Sequence, residues 1–261
     1  MHIETRGHGP SLILLHGWAM HSGLFEPLVA RLAGRFTLHF VDLPGHGHAR
    51  NDDRALEPAA LGRELAARLP GAVWLGWSLG GMVALRAALD HPGQVRGLVM
   101  VASSPRFVQG RDWPHGVRPS LFREFGDALG RDFRGTLDGF LALEALGSPE
   151  ATRELRGLRA QAFERGEPAP HVLQEGLRLL EQVDMRDELG RLRVPSLWLS
   201  GRRDRLVPPA AMTAAARLAP GAHSVRIDNA GHAPFLGAPD RVAAEVAAFI
   251  GALDLPAGLA P

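Results

Sequence analysis

Gly76-Trp77-Ser78-Leu79-Gly80 is the most informative stretch of this chain. An apolar run at 73–77 precedes it, with the character of a buried strand. Residues 79–89 follow with apolar positions at helical spacing, up to His91-Pro92, where proline disfavours helix in the residue before it. A strand that turns straight into a helix around G-x-S-x-G forces the serine into a strained conformation with its hydroxyl projecting. Glycines two residues to either side let the neighbouring backbone pass without Cβ clashes. A plain Gly-rich turn has the same pentapeptide, but lacks the strand before it and the helix after it. Ser78 is therefore the candidate nucleophile, and the helix start at Leu79 favours negative charge nearby.

On either side of this turn, short apolar runs at 12–15, 36–41, 98–102, 196–199 and 224–227 join 73–77 as strands, separated by longer helical patterns. That alternation predicts an α/β fold, a mostly parallel sheet with helices on both faces. Pro239 opens a last helix over 241–250. The interval 106–190 breaks the rhythm, with amphipathic stretches and no strand-like run, and reads as a helical cap inserted in a core formed by 1–105 and 191–261. Within it Ser148-Pro149-Glu150 is a helix start, with serine as cap and proline at the first helical position. The tail from Asp254, rich in Pro, Gly and Ala, is expected to fray.

An activated serine needs a base, a group that orients the base, and donors for an oxyanion. His232, in Asn229-Ala230-Gly231-His232-Ala233-Pro234-Phe235, lies between the last strand and the last helix, on a loop at the sheet's C-terminal edge. Asp204, in Ser200-Gly201-Arg202-Arg203-Asp204-Arg205, follows the penultimate strand, where a carboxylate can accept the imidazole Nδ1–H. The order Ser, acid, His is the one this kind of elbow uses. Asp228, Asp184 and Asp187 are weaker alternatives for the acid, and Arg203 and Arg205 are placed to modulate Asp204. Leu79 supplies one oxyanion N–H and Trp18, in His16-Gly17-Trp18 after the first strand pattern, the second; their side chains would wall the pocket. Asp42-Leu43-Pro44-Gly45-His46-Gly47 reads as a structural turn under that loop. Most of the remaining histidines, His21, His46, His48, His115 and His171 among them, read as surface residues or as neighbours of the site. None has metal-site spacing, so neither metal nor cofactor is expected.

Composition excludes other chemistries. All 29 cations among Lys and Arg are arginines, which removes Schiff-base and Ser-Lys mechanisms. The absence of Cys removes thiol nucleophiles and disulfides and fits a reducing compartment. A net charge of +1 argues against nucleic acid or an anionic membrane as the main partner. No apolar run approaches the roughly 18 residues that span a bilayer. A cytoplasmic monomer is expected.

With these residues in place, the chain resembles the pimeloyl-[acyl-carrier-protein] methyl ester esterases of biotin synthesis, within the α/β-hydrolase superfamily. The likeness runs over nearly the whole length, through Leu14-Leu15-His16-Gly17-Trp18, Val41-Asp42-Leu43-Pro44-Gly45, Val101-Ala102-Ser103-Ser104-Pro105 and His232-Ala233-Pro234-Phe235. Its more specific parts are Trp74-Leu75-Gly76-Trp77-Ser78 and Phe140-Leu141-Ala142-Leu143-Glu144. The resemblance implies the α/β-hydrolase fold, an acyl pocket lined by Phe140 and Leu143, and hydrolysis of a pimeloyl methyl ester carried on acyl carrier protein. That acidic partner would dock on basic cap residues, for which Arg153, Arg156 and Arg159 are the candidates: Arg153 and Arg156 point away from the face shared by Leu155, Leu158 and Ala162, and Arg159 lies at its edge. A general carboxylesterase, a lactonase or a C–C bond hydrolase would use the same triad. A ligand-binding protein that lost turnover is the reading from another class.

Overall fold

The structure is a computed structural model and describes residues 1–146 and 151–253. Its strands are β1 (His2–Gly7), β2 (Ser11–Leu15), β3 (Thr37–Asp42), β4 (Ala72–Trp77), β5 (Val95–Val101), β6 (Ser196–Gly201) and β7 (Ala222–Ile227). They form one sheet in the order β1-β3-β2-β4-β5-β6-β7, with β1 antiparallel and every other neighbouring pair parallel. The helices are α1 (Glu26–Leu32), α2 (Pro58–Arg68), α3 (Leu79–Asp90), α4 (Ser120–Leu129), α5 (Phe133–Ala145), α6 (Ala151–Ala162), α7 (Pro170–Gln182), α8 (Pro209–Leu218), α9 (Pro234–Gly237) and α10 (Pro239–Gly251).

The six strands read from apolar runs are all present. β4 is buried along its whole length because helices cover both faces of a central parallel strand. Successive side chains alternate between the faces: Ile13, Leu15, Trp74, Leu98 and Met100 join one core, while Leu12, Leu14, Val73, Leu75 and Val99 join the other. Each such fully buried side chain contributes about 1.5–3 kcal/mol, offsetting the entropy of ordering the chain. β1 is additional to the six. Its residues, His-Ile-Glu-Thr-Arg-Gly, are charged and partly exposed, as suits an edge strand, and carry no apolar run to read.

Between β5 and β6 the described chain runs through α4 to α7 and a 3₁₀ turn at Arg186–Arg191. Two isolated bridges, Val108 with Val117 and Gly110 with Trp113, interrupt the helical pattern expected there. The Met185 N–H donates to the Pro105 carbonyl at 3.0 Å, which brings the two ends of this segment together. The expected helix start at Ser148-Pro149-Glu150 and the expected frayed tail lie outside the described residues.

Candidate active site

Ser78 follows β4 and stands at the N-cap position of α3 with φ 52° and ψ −121°, a region costly for any residue but glycine. Its main chain is held on three sides: its N–H donates to the Val101 carbonyl at 3.0 Å, and its carbonyl accepts from the Gly81 N–H at 2.9 Å and the Ser103 hydroxyl at 2.7 Å. A serine at a helix start usually bonds a free backbone N–H, but this one makes no such cap, leaving its hydroxyl for another acceptor. The turn is tight enough that a Cβ on Gly76 would lie 2.4 Å from the Gly80 carbonyl oxygen, and one on Gly80 2.4 Å from that of Leu15. Gly81 is equally constrained, since its Cβ would lie 2.3 Å from the Ser103 hydroxyl.

The loops after β6 and β7 bring two further side chains to that hydroxyl. His232 Nε2 is 2.9 Å from Ser78 Oγ, and His232 Nδ1 is 2.9 Å from Asp204 Oδ2. The other Asp204 oxygen accepts from the Leu206 and Val207 N–H groups, both at 2.8 Å, which fixes the plane of the carboxylate. The two loops touch where a Cβ on Gly201 would lie 1.9 Å from the Gly231 carbonyl oxygen. The Trp77 indole donates to the His232 carbonyl at 2.8 Å, tying the base loop to the elbow strand. All three side chains are buried, Ser78 and His232 completely. Burial opposes charge on His232, but the charge and hydrogen bond of Asp204 outweigh it and raise the imidazole pKa above its ordinary value.

Two of the weaker candidates for the acid are engaged away from His232. Asp228 is exposed and faces Arg202 at 3.6 Å, and Asp184 pairs with Arg106 and Arg186. Arg203 and Arg205 are exposed, and among the described residues the Asp204 carboxylate bonds only His232 and the two N–H groups.

The 16–18 loop lies against the serine, since a Cβ on Gly17 would be 3.1 Å from Ser78 Cβ. Neither the Trp18 nor the Leu79 N–H has a backbone acceptor among the described residues. His16 braces the loop, donating from Nδ1 to the Gly17 carbonyl at 2.8 Å and accepting at Nε2 from the Leu43 N–H at 3.0 Å. That pair of bonds requires the neutral ring, and burial pushes its pKa down to about 3. Beneath it Asp42 accepts from the N–H groups of Ser22 and His48, each at 2.8 Å, and from Arg165, a structural role. His16, His21 and His46 are buried rather than surface residues. Among the described residues no three His, Asp or Glu side chains group to hold a metal ion, and no helix is long and apolar enough to cross a membrane.

The sequence profile of the alpha/beta hydrolase family matches residues 12–245. A pimeloyl-[acyl-carrier protein] methyl ester esterase from Stenotrophomonas maltophilia is 56% identical over 253 residues, covering 97% of each chain. A protein of the same name from Xanthomonas oryzae pv. oryzae is 56% identical over 96% of this chain and 98% of its own. The chain belongs to the pimeloyl-[acyl-carrier-protein] methyl ester esterases of the α/β-hydrolase family. Solved structures agree on the fold: an esterase from Exiguobacterium antarcticum superimposes with a TM-score of 0.83 at 21% identity, covering 96% of this chain and 95% of its own. An enol-lactonase from Burkholderia xenovorans does so with a TM-score of 0.84 at 18% identity, covering 96% of both.

Around the serine of this esterase, the Trp18 indole donates to the Leu173 carbonyl of α7 at 2.8 Å, and its ring packs on Phe140 at 4.4 Å between centroids. Phe140 is fully buried, whereas Leu143 is half-buried on the flank of the same helix. Leu158 and Ala162 are buried and Leu155 half-buried, while Arg153, Arg156 and Arg159 are exposed, Arg159 held by both oxygens of Asp138. Three residues beside the site received no role from the sequence: Trp77, Ser103 and Glu144. Glu144 is buried, its carbonyl accepts from the His232 N–H at 3.4 Å, and neither carboxyl oxygen has a partner.

Proposed function

We propose that this esterase hydrolyses the methyl ester of a pimeloyl chain carried on acyl carrier protein, in biotin synthesis, through an acyl-enzyme on Ser78. The observation that carries the chemistry is the hydrogen-bonded line Ser78 Oγ, His232, Asp204. His232 Nε2 takes the Ser78 proton as Oγ attacks the ester carbonyl, and Asp204 keeps the other ring nitrogen protonated and stabilises the imidazolium. The Trp18 and Leu79 N–H groups receive the oxyanion at the start of α3, where the helix dipole favours negative charge. Collapse expels methanol, protonated by His232. Water, activated by the same imidazole, then releases the acid.

The substrate follows from likeness to the relatives above. Phe140 and Leu143 line the acyl pocket, residues 106–190 form a cap over it, and Arg153, Arg156 and Arg159 meet the acidic carrier protein in the cytoplasm. The test is genetic: the gene restores biotin-independent growth to a host lacking the methyl esterase, and its Ser78→Ala form does not. Failure of the unaltered gene, with hydrolysis of short p-nitrophenyl esters intact, would instead favour a general carboxylesterase.

A further inference from the structure

Glu144 lies on the buried stripe of α5, one turn beyond Phe140, where its carbonyl meets the His232 N–H at 3.4 Å. Its side chain is buried, and Oε1 and Oε2 both lack a hydrogen-bond partner. A buried carboxylate without donors is costly, whereas a carboxylic acid is far less so and carries an O–H to donate. An ester group offers only acceptors. We propose that Glu144 serves as an uncharged carboxylic acid beside the reacting centre, donating a hydrogen bond to an oxygen of the bound ester, and that its ionisation withdraws this donor and depresses turnover.

The surroundings support the neutral form. Burial pushes the Glu144 carboxyl up to about 8, with His232 drawing it down and Asp204 pushing it further up. On α6, packed against α5, Glu154 is buried, Arg153 and Arg156 are exposed, and Arg159 is engaged by Asp138 on the outer side of α5. On α4 the charges face outward and are paired, Arg123 with Glu181 and Glu124 with Arg118, with Asp127 beside them. No cation among the described residues bonds the Glu144 carboxyl, and the pull of His232 does not outweigh its burial.

The proposal rests on Ser78 and His232 as the reacting pair, and its test separates the two readings. The kcat/KM for p-nitrophenyl butyrate is measured from pH 5.5 to 10 in the full-length protein and in Glu144→Gln, which keeps the shape and a donor but does not ionise. In the unaltered enzyme kcat/KM falls about tenfold through an apparent pKa near 8 and then levels off, as ionisation withdraws the donor. In Glu144→Gln that fall is absent while the acid limb of His232 remains. In Glu144→Leu, which has neither donor nor charge, kcat/KM lies about tenfold below that of the unaltered enzyme up to about pH 7, the worth of one hydrogen bond, and shows no alkaline fall. A plateau to pH 9.5 in the unaltered enzyme, or an alkaline fall that persists in Glu144→Gln, overturns the proposal. Infrared spectra of ¹³C-glutamate-labelled enzyme give a readout free of activity and of any variant. A protonated glutamic acid band that disappears near pH 8 is expected, and its absence at pH 7 overturns the proposal as well. Failure of Ser78 to label with a fluorophosphonate would count against the triad and leave the infrared result standing.

Discussion

The Ser103 hydroxyl donates to the Ser78 carbonyl at 2.7 Å, so a side chain at the exit of β5 holds the main chain of the candidate nucleophile. The elbow's strain needs such a brace, because a backbone at φ 52° relaxes when its partners are removed. Ser103→Ala is expected to lower kcat about fivefold to tenfold, in line with one hydrogen bond of roughly 1 kcal/mol, with KM almost unchanged. Steady-state kinetics checks the split. A matching rise in KM would make Ser103 part of the pocket and not of the elbow.

The same crowding gives a stability prediction. A methyl group on Gly76 meets the Gly80 carbonyl oxygen at 2.4 Å and the Gly81 Cα at 2.5 Å, both backbone atoms that cannot swing away. Gly76→Ala should therefore cost at least about 1–3 kcal/mol, the range for overpacking, and displace Ser78 from His232. Urea unfolding and fluorophosphonate labelling read the two effects separately. Unaltered stability would mean that the elbow relaxes without cost.

How much of the fold and site is legible in the sequence depends on the kind of signal. Ser78, His232 and Asp204 are readable because each sits at the end of an apolar run, and the chain order of the runs fixes which loops meet. β1 is not, because an edge strand carrying Glu4 and Arg6 has no apolar signature. Ser103 is equally silent, since a loop serine that bonds a backbone carbonyl looks like any other. Glu144 does carry a signal: Leu137, Phe140, Leu141, Glu144 and Ala145 recur at helical spacing, and all five are buried. A carboxyl on an otherwise apolar stripe departs from the pattern, and the spacing of the amino acids is enough to show it.

Asp204→Asn should reveal how the base is oriented. The Leu206 and Val207 N–H groups hold one oxygen at 2.8 Å, so an amide oxygen will take that place and turn its NH₂ toward His232 Nδ1. The imidazole must then carry its proton on Nε2, where it cannot accept from Ser78. A loss in kcat of order 10³–10⁴ is expected with little change in KM. In the unaltered enzyme kcat/KM should rise with pH through an apparent pKa above the ordinary imidazole value of about 6.5, because Asp204 raises that of His232. A pH–rate profile with its acid limb below that value would contradict the assignment.

Carrier docking on α6 predicts a difference between substrates. Reversing Arg153, Arg156 and Arg159 to Glu should raise KM for the carrier-bound ester, and a small free ester should respond little. Exposed pairs are worth about 0.2–1 kcal/mol each, so the combined loss in kcat/KM is several-fold to about a hundredfold, shrinking with added salt. Because Arg159 is already held by Asp138, its single reversal should matter less than that of Arg156. Equal responses from both substrates would make this face a solvated surface with no docking role.

Glu144 also sets a pH dependence of stability, independent of catalysis. Its pKa is about 8 in the folded protein because burial disfavours the charge, against an ordinary value of about 4.3 in the unfolded chain. Below about pH 4 both states hold the proton and the residue is neutral toward folding. Between about 4 and 8 the unfolded chain gives up the proton while the folded one retains it, so stability falls as pH rises, by at most about 1.4 kcal/mol per unit. Above 8 both are ionised and the loss levels off. Glu144→Gln removes this dependence, so its stability relative to the unaltered protein should climb from pH 5 to pH 8, by a few kcal/mol at most, and then stay level. Urea unfolding at pH 5, 7 and 9 measures it. A difference that stays constant across that range would mean the carboxyl ionises as readily in the fold as in the open chain, and that some group near His232 stabilises its charge.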